Sequence, residues 1–238
     1  MNPQRRTRRG AYAKGLAKRE EILSRALDVV ARKGYRGASV KEIAESVGLS
    51  QAGLLHYFGS KEELFTAILS KRDGDDALRL GPISEEAIDP ERLREGYLGV
   101  VRRNADEPGL VELFSQLSVE AADPEHPAHA FFADRSRMMR DLMSGTVARA
   151  QAEGRMTDRV DPETVARVLQ AVADGMQLQW LVDPTVDMAE AVAAVFELLA
   201  PPEREEAGRA GPAASRETPP TCRRAPGRAG ATDATADR

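Results

Sequence analysis

A side-chain amide at Gln51 and an ammonium at Lys61, within the run SVKEIAESVGLSQAGLLHYFGSK (39–61), are the groups of this chain best suited to meet a nucleic acid. An amide can bridge N6 and N7 of adenine in the major groove, and a cation can hold a phosphate. No chemistry of bond-breaking competes with this reading. The chain has no glycine-rich phosphate loop, no HExxH and no GxSxG pattern, and its lone thiol, Cys222, lies in the carboxyl-terminal segment. Catalytic residues are therefore not expected. His126 and His129 stand i, i+3 around Pro127 beside Asp123 and Glu125. Two imidazoles at a proline-broken helix start fall short of a zinc ligand set, so neither metal nor cofactor is expected.

The elements that must carry Gln51 and Lys61 follow from caps and periods. Ser39 and Glu42 form a capping box that opens a helix at Val40. Val40, Ile43, Ala44 and Val47 then share one buried face, with Lys41, Glu42, Glu45 and Ser46 toward water. Gly48 supplies the left-handed turn that stops this helix. Ser50 caps the next, whose inward residues are Leu54 and Phe58 and whose outer or lateral surface holds Gln51, Ala52, His56 and Tyr57. Ser60 with Glu63 makes a second capping box ahead of Leu64, Phe65, Ile68 and Leu69, and an earlier stripe of Ile22, Leu23, Ala26, Leu27 and Val30 is ended by Gly34. Four short helices can share one core, and the third is small enough to enter a major groove.

Charge divides the chain unevenly. Residues 1–72 hold 15 Lys+Arg against 7 Asp+Glu, residues 73–200 hold 12 against 25, and the whole chain carries −4. A cationic head on an anionic body concentrates attraction for phosphate at one end. Arg5, Arg6, Arg8, Arg9, Lys14, Lys18 and Arg19 precede or open the first helix, and a flexible basic arm over 1–18 would reach a phosphate backbone or minor groove.

The run from Ile22 through Arg72, centred on GYRGASVKEIAESVGLSQAGLLHYFGSKEELFTAIL, resembles the DNA-binding domain of the TetR family of one-component bacterial transcriptional regulators. The resemblance covers about the first third of the chain. It implies an all-α homodimer, a variable carboxyl-terminal domain that binds a small molecule, and loss of DNA affinity when that ligand binds. By position in the motif, Ser39, Ser50, Gln51, Ala52, Gly53, His56, Tyr57 and Lys61 fall where the family contacts DNA, and exposed Lys41 joins them as a candidate. Two residues depart from the family pattern. Ala52 stands where glycine is common, and Leu55 where a phosphate-touching tyrosine is frequent, which leaves that contact to His56 and Tyr57.

The rest of the chain reads as helices: 90–106, 108–122, 127–153, 162–182 and 188–199, broken by DPEHP, Gly154 and the Asp183–Pro184 pair. An all-α architecture with four segments results: a basic arm (1–18), a helix-turn-helix head (19–72), a helical effector-binding and dimerisation domain (73–200) and a tail (201–238). That tail, rich in Pro, Gly and Ala with no Val, Ile, Leu or aromatic residue, cannot bury enough surface to offset its entropy and is expected to be disordered. No apolar run approaches the roughly 20 residues of a membrane span, and the arginine-rich start lacks a signal peptide's apolar core, so a cytoplasmic protein is expected. Val165, Val168, Leu169, Val172, Met176 and Trp180 form one stripe, and Val192, Val195, Phe196 and Leu199 another. Together with the alanines of the last helix they predict that the final two helices pair with their copies in a four-helix dimer interface.

Effector contacts are expected from apolar, adaptable side chains with a few polar ones among them: Tyr97, Phe114, Leu117, Phe131, Met138, Met139, Met143, Met176 and Trp180, with Gln116, Glu120 and Gln177. A hydrophobic small molecule would suit them. The expected function is a DNA-binding regulator, a repressor released from a palindromic double-stranded operator by such an effector. A helical protein–protein adaptor is the alternative, separated from it by a shift assay on the DNA upstream of the protein's own gene. A small-molecule enzyme is the more remote one.

Overall fold

The computed structural model describes residues 3–80 and 89–201, and side chains over 14–79 and 89–201. Among them are nine α-helices and no strand: α1 (Pro3–Gly37), α2 (Val40–Ser46), α3 (Gln51–Phe58), α4 (Lys61–Leu80), α5 (Pro90–Asp106), α6 (Pro108–Glu120), α7 (His129–Ala152), α8 (Pro162–Val182) and α9 (Met188–Leu198). The segment expected to be disordered lies outside the described residues except for Pro201. Residues 3–18, expected as a flexible arm, continue α1.

Local chemistry sets most of the helix starts. Asp89 accepts from the Glu91 and Arg92 amides, Asp161 from Thr164, and Asp187 from Ala189 and Glu190, while Pro90, Pro108 and Pro162 occupy first-turn positions where no amide proton is missed. The long seventh helix begins at His129, two residues beyond the expected start, because both histidines serve the turn before it. His126 Nδ1 accepts from the Ala128 amide and His129 Nδ1 lies 2.9 Å from the Ala121 carbonyl.

The buried apolar residues form two cores. The first joins Ile22, Leu23 and Ala26 of α1, Ile43 and Ala44 of α2, Leu54 and Phe58 of α3, and Leu64, Phe65, Ile68 and Leu69 of α4. It is not closed by those four helices alone. Leu110, Leu113 and Leu117 of α6 complete it, while Val111, on another side of the same helix, belongs to the second core with Leu98, Met143, Val147, Leu169, Val192 and Phe196. α6 is thus a shared wall.

The boundary drawn from composition at 72/73 falls inside α4, which runs on to Leu80. A glycine at position 74 disfavours helix by about 1 kcal/mol, and neighbouring intrahelical ion pairs of about 0.2–0.5 kcal/mol each offset part of it. Lys71 binds Asp75 at 2.8 Å, Arg79 binds Asp76 at 3.2 Å, and the acidic run DGDD is tied to other helices. Asp76 receives Arg103 Nε of α5 at 3.0 Å, and Asp73 receives Arg135 Nε of α7 at 2.8 Å.

Candidate DNA-reading head and effector groove

In the head, the α2–turn–α3 unit is locked by the bonds its sequence calls for. Ser39 Oγ accepts from the Glu42 amide at 3.2 Å and the Glu42 carboxylate accepts from the Ser39 amide at 3.2 Å, completing the box. The Lys33 ammonium also bonds Glu42 and, with the Ser39 contacts, holds its carboxyl below the usual carboxylate range. Gly48 turns at φ 69°, a conformation that residues with a β-carbon resist, so α3 leaves at an angle to α2. Ser50 Oγ then accepts from the Gly53 amide at 3.0 Å.

Leu54 and Phe58 are buried, which turns the opposite side of α3 outward. Ser50, Gln51, Ala52 and His56 are exposed, as are Ser39 and Lys41 on the neighbouring element. Gly53 is half-buried, and Tyr57 is half-buried against the head core with its ring in edge contact with that of His56. Lys61, at the first position of α4, is exposed but its Nζ sits 5.1 Å from the centre of the Tyr35 ring and 5.3 Å from that of Phe65. This cation–π seat holds the ammonium over two rings of the head. Lys18, expected in the arm, and Arg19, the first residue of the expected head, brace the unit. Arg19 covers the Phe58 ring at 4.8 Å, and Lys18 reaches the Val47 carbonyl at 3.4 Å.

A groove of about 440 Å³ opens between α6, α7 and α8. Its walls are Phe114, Ser115, Ser118 and Val119 of α6, Phe132, Arg135 and Ser136 of α7, and Arg167, Gln170, Ala171, Asp174 and Leu178 of α8. Of the residues expected to meet an effector, Phe114 alone lines it. Met143, Trp180 and Gln177 are buried, and Met139 and Met176 pack against the second core. The Tyr97 hydroxyl donates to the Leu169 carbonyl at 3.3 Å and is pushed to a raised pKa by burial. Leu117 belongs to the head core, with Phe131 packed against it. Met138 is 60% exposed, Gln116 is exposed, and Glu120 accepts from the Tyr35 hydroxyl at 3.2 Å.

Apolar periodicity marks the inside of a helix bundle, and these side chains fill it. The groove is instead lined by polar residues set into otherwise apolar faces, and Asp174, the one acid in the stretch VLQAVADGMQLQWLV, was the signal for it. Burial raises the Asp174 pKa, opposed by the nearby Arg135 charge.

Residues 22–68 match the model for bacterial regulatory proteins of the tetR family, and residues 90–201 match the model for the carboxyl-terminal domain of BetI-type transcriptional repressors. The chain belongs to the TetR family. As in that family, a helix-turn-helix head is joined to an all-helical carboxyl-terminal domain, and the protein is a DNA-binding regulator of transcription. Among TetR-family relatives, the transcriptional repressor AcnR of Corynebacterium efficiens is 30% identical over 164 residues, covering 66% of this chain and 78% of AcnR. The regulator RutR of Escherichia coli is 47% identical over 53 residues, 22% of this chain and 25% of RutR. A TetR-family regulator from Agrobacterium tumefaciens superposes with a TM-score of 0.60 at 24% identity, covering 78% of this chain and 99% of that one. Such relatives regulate transcription and are not enzymes. Among the described residues no helix is long and apolar enough to cross a membrane, and no group of three or more His, Cys, Asp or Glu is placed to hold a metal.

Proposed function

We propose that the protein is a homodimeric repressor that places α3 of each protomer in successive major grooves of a palindromic operator and leaves it when a small molecule fills the α6–α7–α8 groove. The observation that carries this reading is the continuity of α4. Its first half supplies Leu64, Phe65 and Ile68 to the head core, and its second half presents Asp73 to Arg135 of the groove. A change at Arg135 therefore has a rigid route to the head.

Within the head, Gln51 reads a base edge through its amide, Lys61 with Lys41, Ser39, Ser50, His56 and Tyr57 holds phosphates, and Ala52 and Gly53 let the backbone approach closely. Exposure of these side chains on one cap-locked unit supports the assignment. Dimerisation is supported by apolar side chains left in water. Val182 is 88%, Leu198 81% and Val168 44% exposed. Of the stripes expected to pair across the dimer, Val165, Leu169 and Trp180 with Val192, Phe196 and Leu199 are buried within one chain, and Val168 is left exposed. The helices proposed for the interface are unchanged, and the apolar side chains left exposed on them form it. A regulator of this kind works in the cytoplasm, where the chromosome lies.

Fluorescence anisotropy on fragments of the DNA upstream of the gene, at low salt without effector, tests the reading. Nanomolar, salt-dependent binding of one fragment is expected; equal and weak binding of all fragments would refute operator recognition.

A further inference from the structure

The charged groups on the groove's walls are two arginines and one acid. Arg167 lies at the exposed rim, paired with Glu163 at 2.7 Å. Arg135 is the interior cation: its guanidinium carbon lies 4.9 Å over the Phe114 ring, and its Nε donates to Asp73 of α4 at 2.8 Å. A guanidinium carries five N–H donors in a planar fork, and Asp73 engages Nε alone, so a carboxylate that took the bidentate edge including Nε would make two bonds where Asp73 makes one. The Arg135 charge also acts on Asp174, the one acid on the walls, and offsets part of its repulsion of an anion. A ligand cation would instead have to sit beside Arg135.

We propose that the groove binds an amphipathic anion, a small molecule with one carboxylate on an apolar or aromatic body, and that this carboxylate takes Arg135 from Asp73. The inference rests on the groove being the effector site. The apolar body lies along Phe114, Phe132, Val119 and Leu178 while the carboxylate meets Arg135. Releasing Asp73 frees the second half of α4 from α7, although Arg72 and Asp76 still tie it to Asn104 and Arg103 of α5. Ligand and operator then compete through the position of α4, and each weakens the other's affinity by the same factor.

The test uses full-length protein and three probes sharing one decyl chain: decanoate, 1-decanol and decyltrimethylammonium. Calorimetry is expected to show decanoate binding at least about tenfold tighter than either other probe, and Arg135→Gln to remove that preference. Asp73→Asn, which removes the charge that holds Arg135 without altering the groove wall, is expected to bind decanoate severalfold tighter and upstream DNA more weakly than the parent. Circular dichroism checks that both variants fold. Equal or tighter binding of the ammonium probe, no binding of decanoate, an unchanged preference in folded Arg135→Gln, or unchanged affinities in folded Asp73→Asn would each overturn the proposal. If DNA binds but decanoate does not, the ligand proposal fails and the regulator stands. If decanoate binds through Arg135 but no upstream DNA is held, the operator reading fails and the groove chemistry stands.

Discussion

Gly109 of α6 lies so close to Val30 of α1 that a β-carbon built on it would stand 2.0 Å from the Val30 carbonyl oxygen and 2.8 Å from that of Ala31. The two helices meet backbone to backbone here. One turn further along α6, Glu112 accepts from the Tyr35 amide at 3.2 Å, just past Gly34, where α1 breaks its helical path at φ 70°. Head and body are joined at a contact with no room for a side chain.

Gly109→Ala is therefore expected to destabilise the protein by about 3 kcal/mol or more, since no side-chain rotation relieves a clash with backbone. Gly145→Ala in α7, where a β-carbon meets nothing within 4 Å, is the control. It should stabilise by about 0.5–1 kcal/mol through the helix preference of alanine over glycine. Urea denaturation of both variants measures the difference; equal midpoints would show that the α1–α6 joint can open without loss.

Gln51→Ala should relax base choice at one operator position, by about 1–3 kcal/mol of discrimination, with little effect on the salt dependence. Lys61→Ala should weaken binding to all sequences alike and lower the magnitude of the log–log salt slope by about one. Affinities for single-base operator variants at several salt concentrations separate the two roles. Because Lys61 also rests on the Tyr35 and Phe65 rings, its variant should in addition melt slightly earlier.

Ser39→Ala removes the oxygen that accepts the Glu42 amide and is expected to lower stability by about 1 kcal/mol. The Glu42 carboxyl titrates below its ordinary range when folded. Its contribution is thus complete above the unfolded carboxylate pKa and fades as pH falls through the folded value. The stability difference between the parent and Glu42→Gln should accordingly shrink on acidification from pH 6.

Asp174 carries the opposite sign. Its folded pKa is raised, so the ionised form opposes folding at neutral pH and this opposition disappears as pH falls below the unfolded value. Asp174→Asn should raise the melting temperature at pH 7, with the gain vanishing toward pH 3. Scanning calorimetry across that range decides it, and a variant less stable at pH 7 would show that the carboxylate is compensated.

Val182→Glu and Leu198→Glu place charges on the most exposed apolar positions of α8 and α9. Each is expected to yield monomers in light scattering and to weaken operator binding, because one half-site cannot use the partner's contacts. Dimers of undiminished stability would move the interface elsewhere.

Residues close in sequence determined the local architecture on their own. The Ser39–Glu42 box, the Gly48 turn, the Ser50 cap and the prolines at 90, 108 and 162 specify helix starts and stops through bonds spanning a few residues, so the helix-turn-helix and nearly all helix limits were legible there. The outward set on α3 followed from the same periodicity, since burying Leu54 and Phe58 leaves Gln51 and His56 no other side. What only the tertiary structure decided was which apolar faces meet. Periodicity marks a stripe as buried without naming its partner, so Val165, Leu169 and Phe196 went to the core of one chain while Val182 and Leu198 remained outside. Likewise the groove depends on how α6, α7 and α8 diverge, and the Asp73–Arg135 pair joins residues 62 positions apart. Such a meeting is set by the packing of whole helices, and no local spacing encodes it.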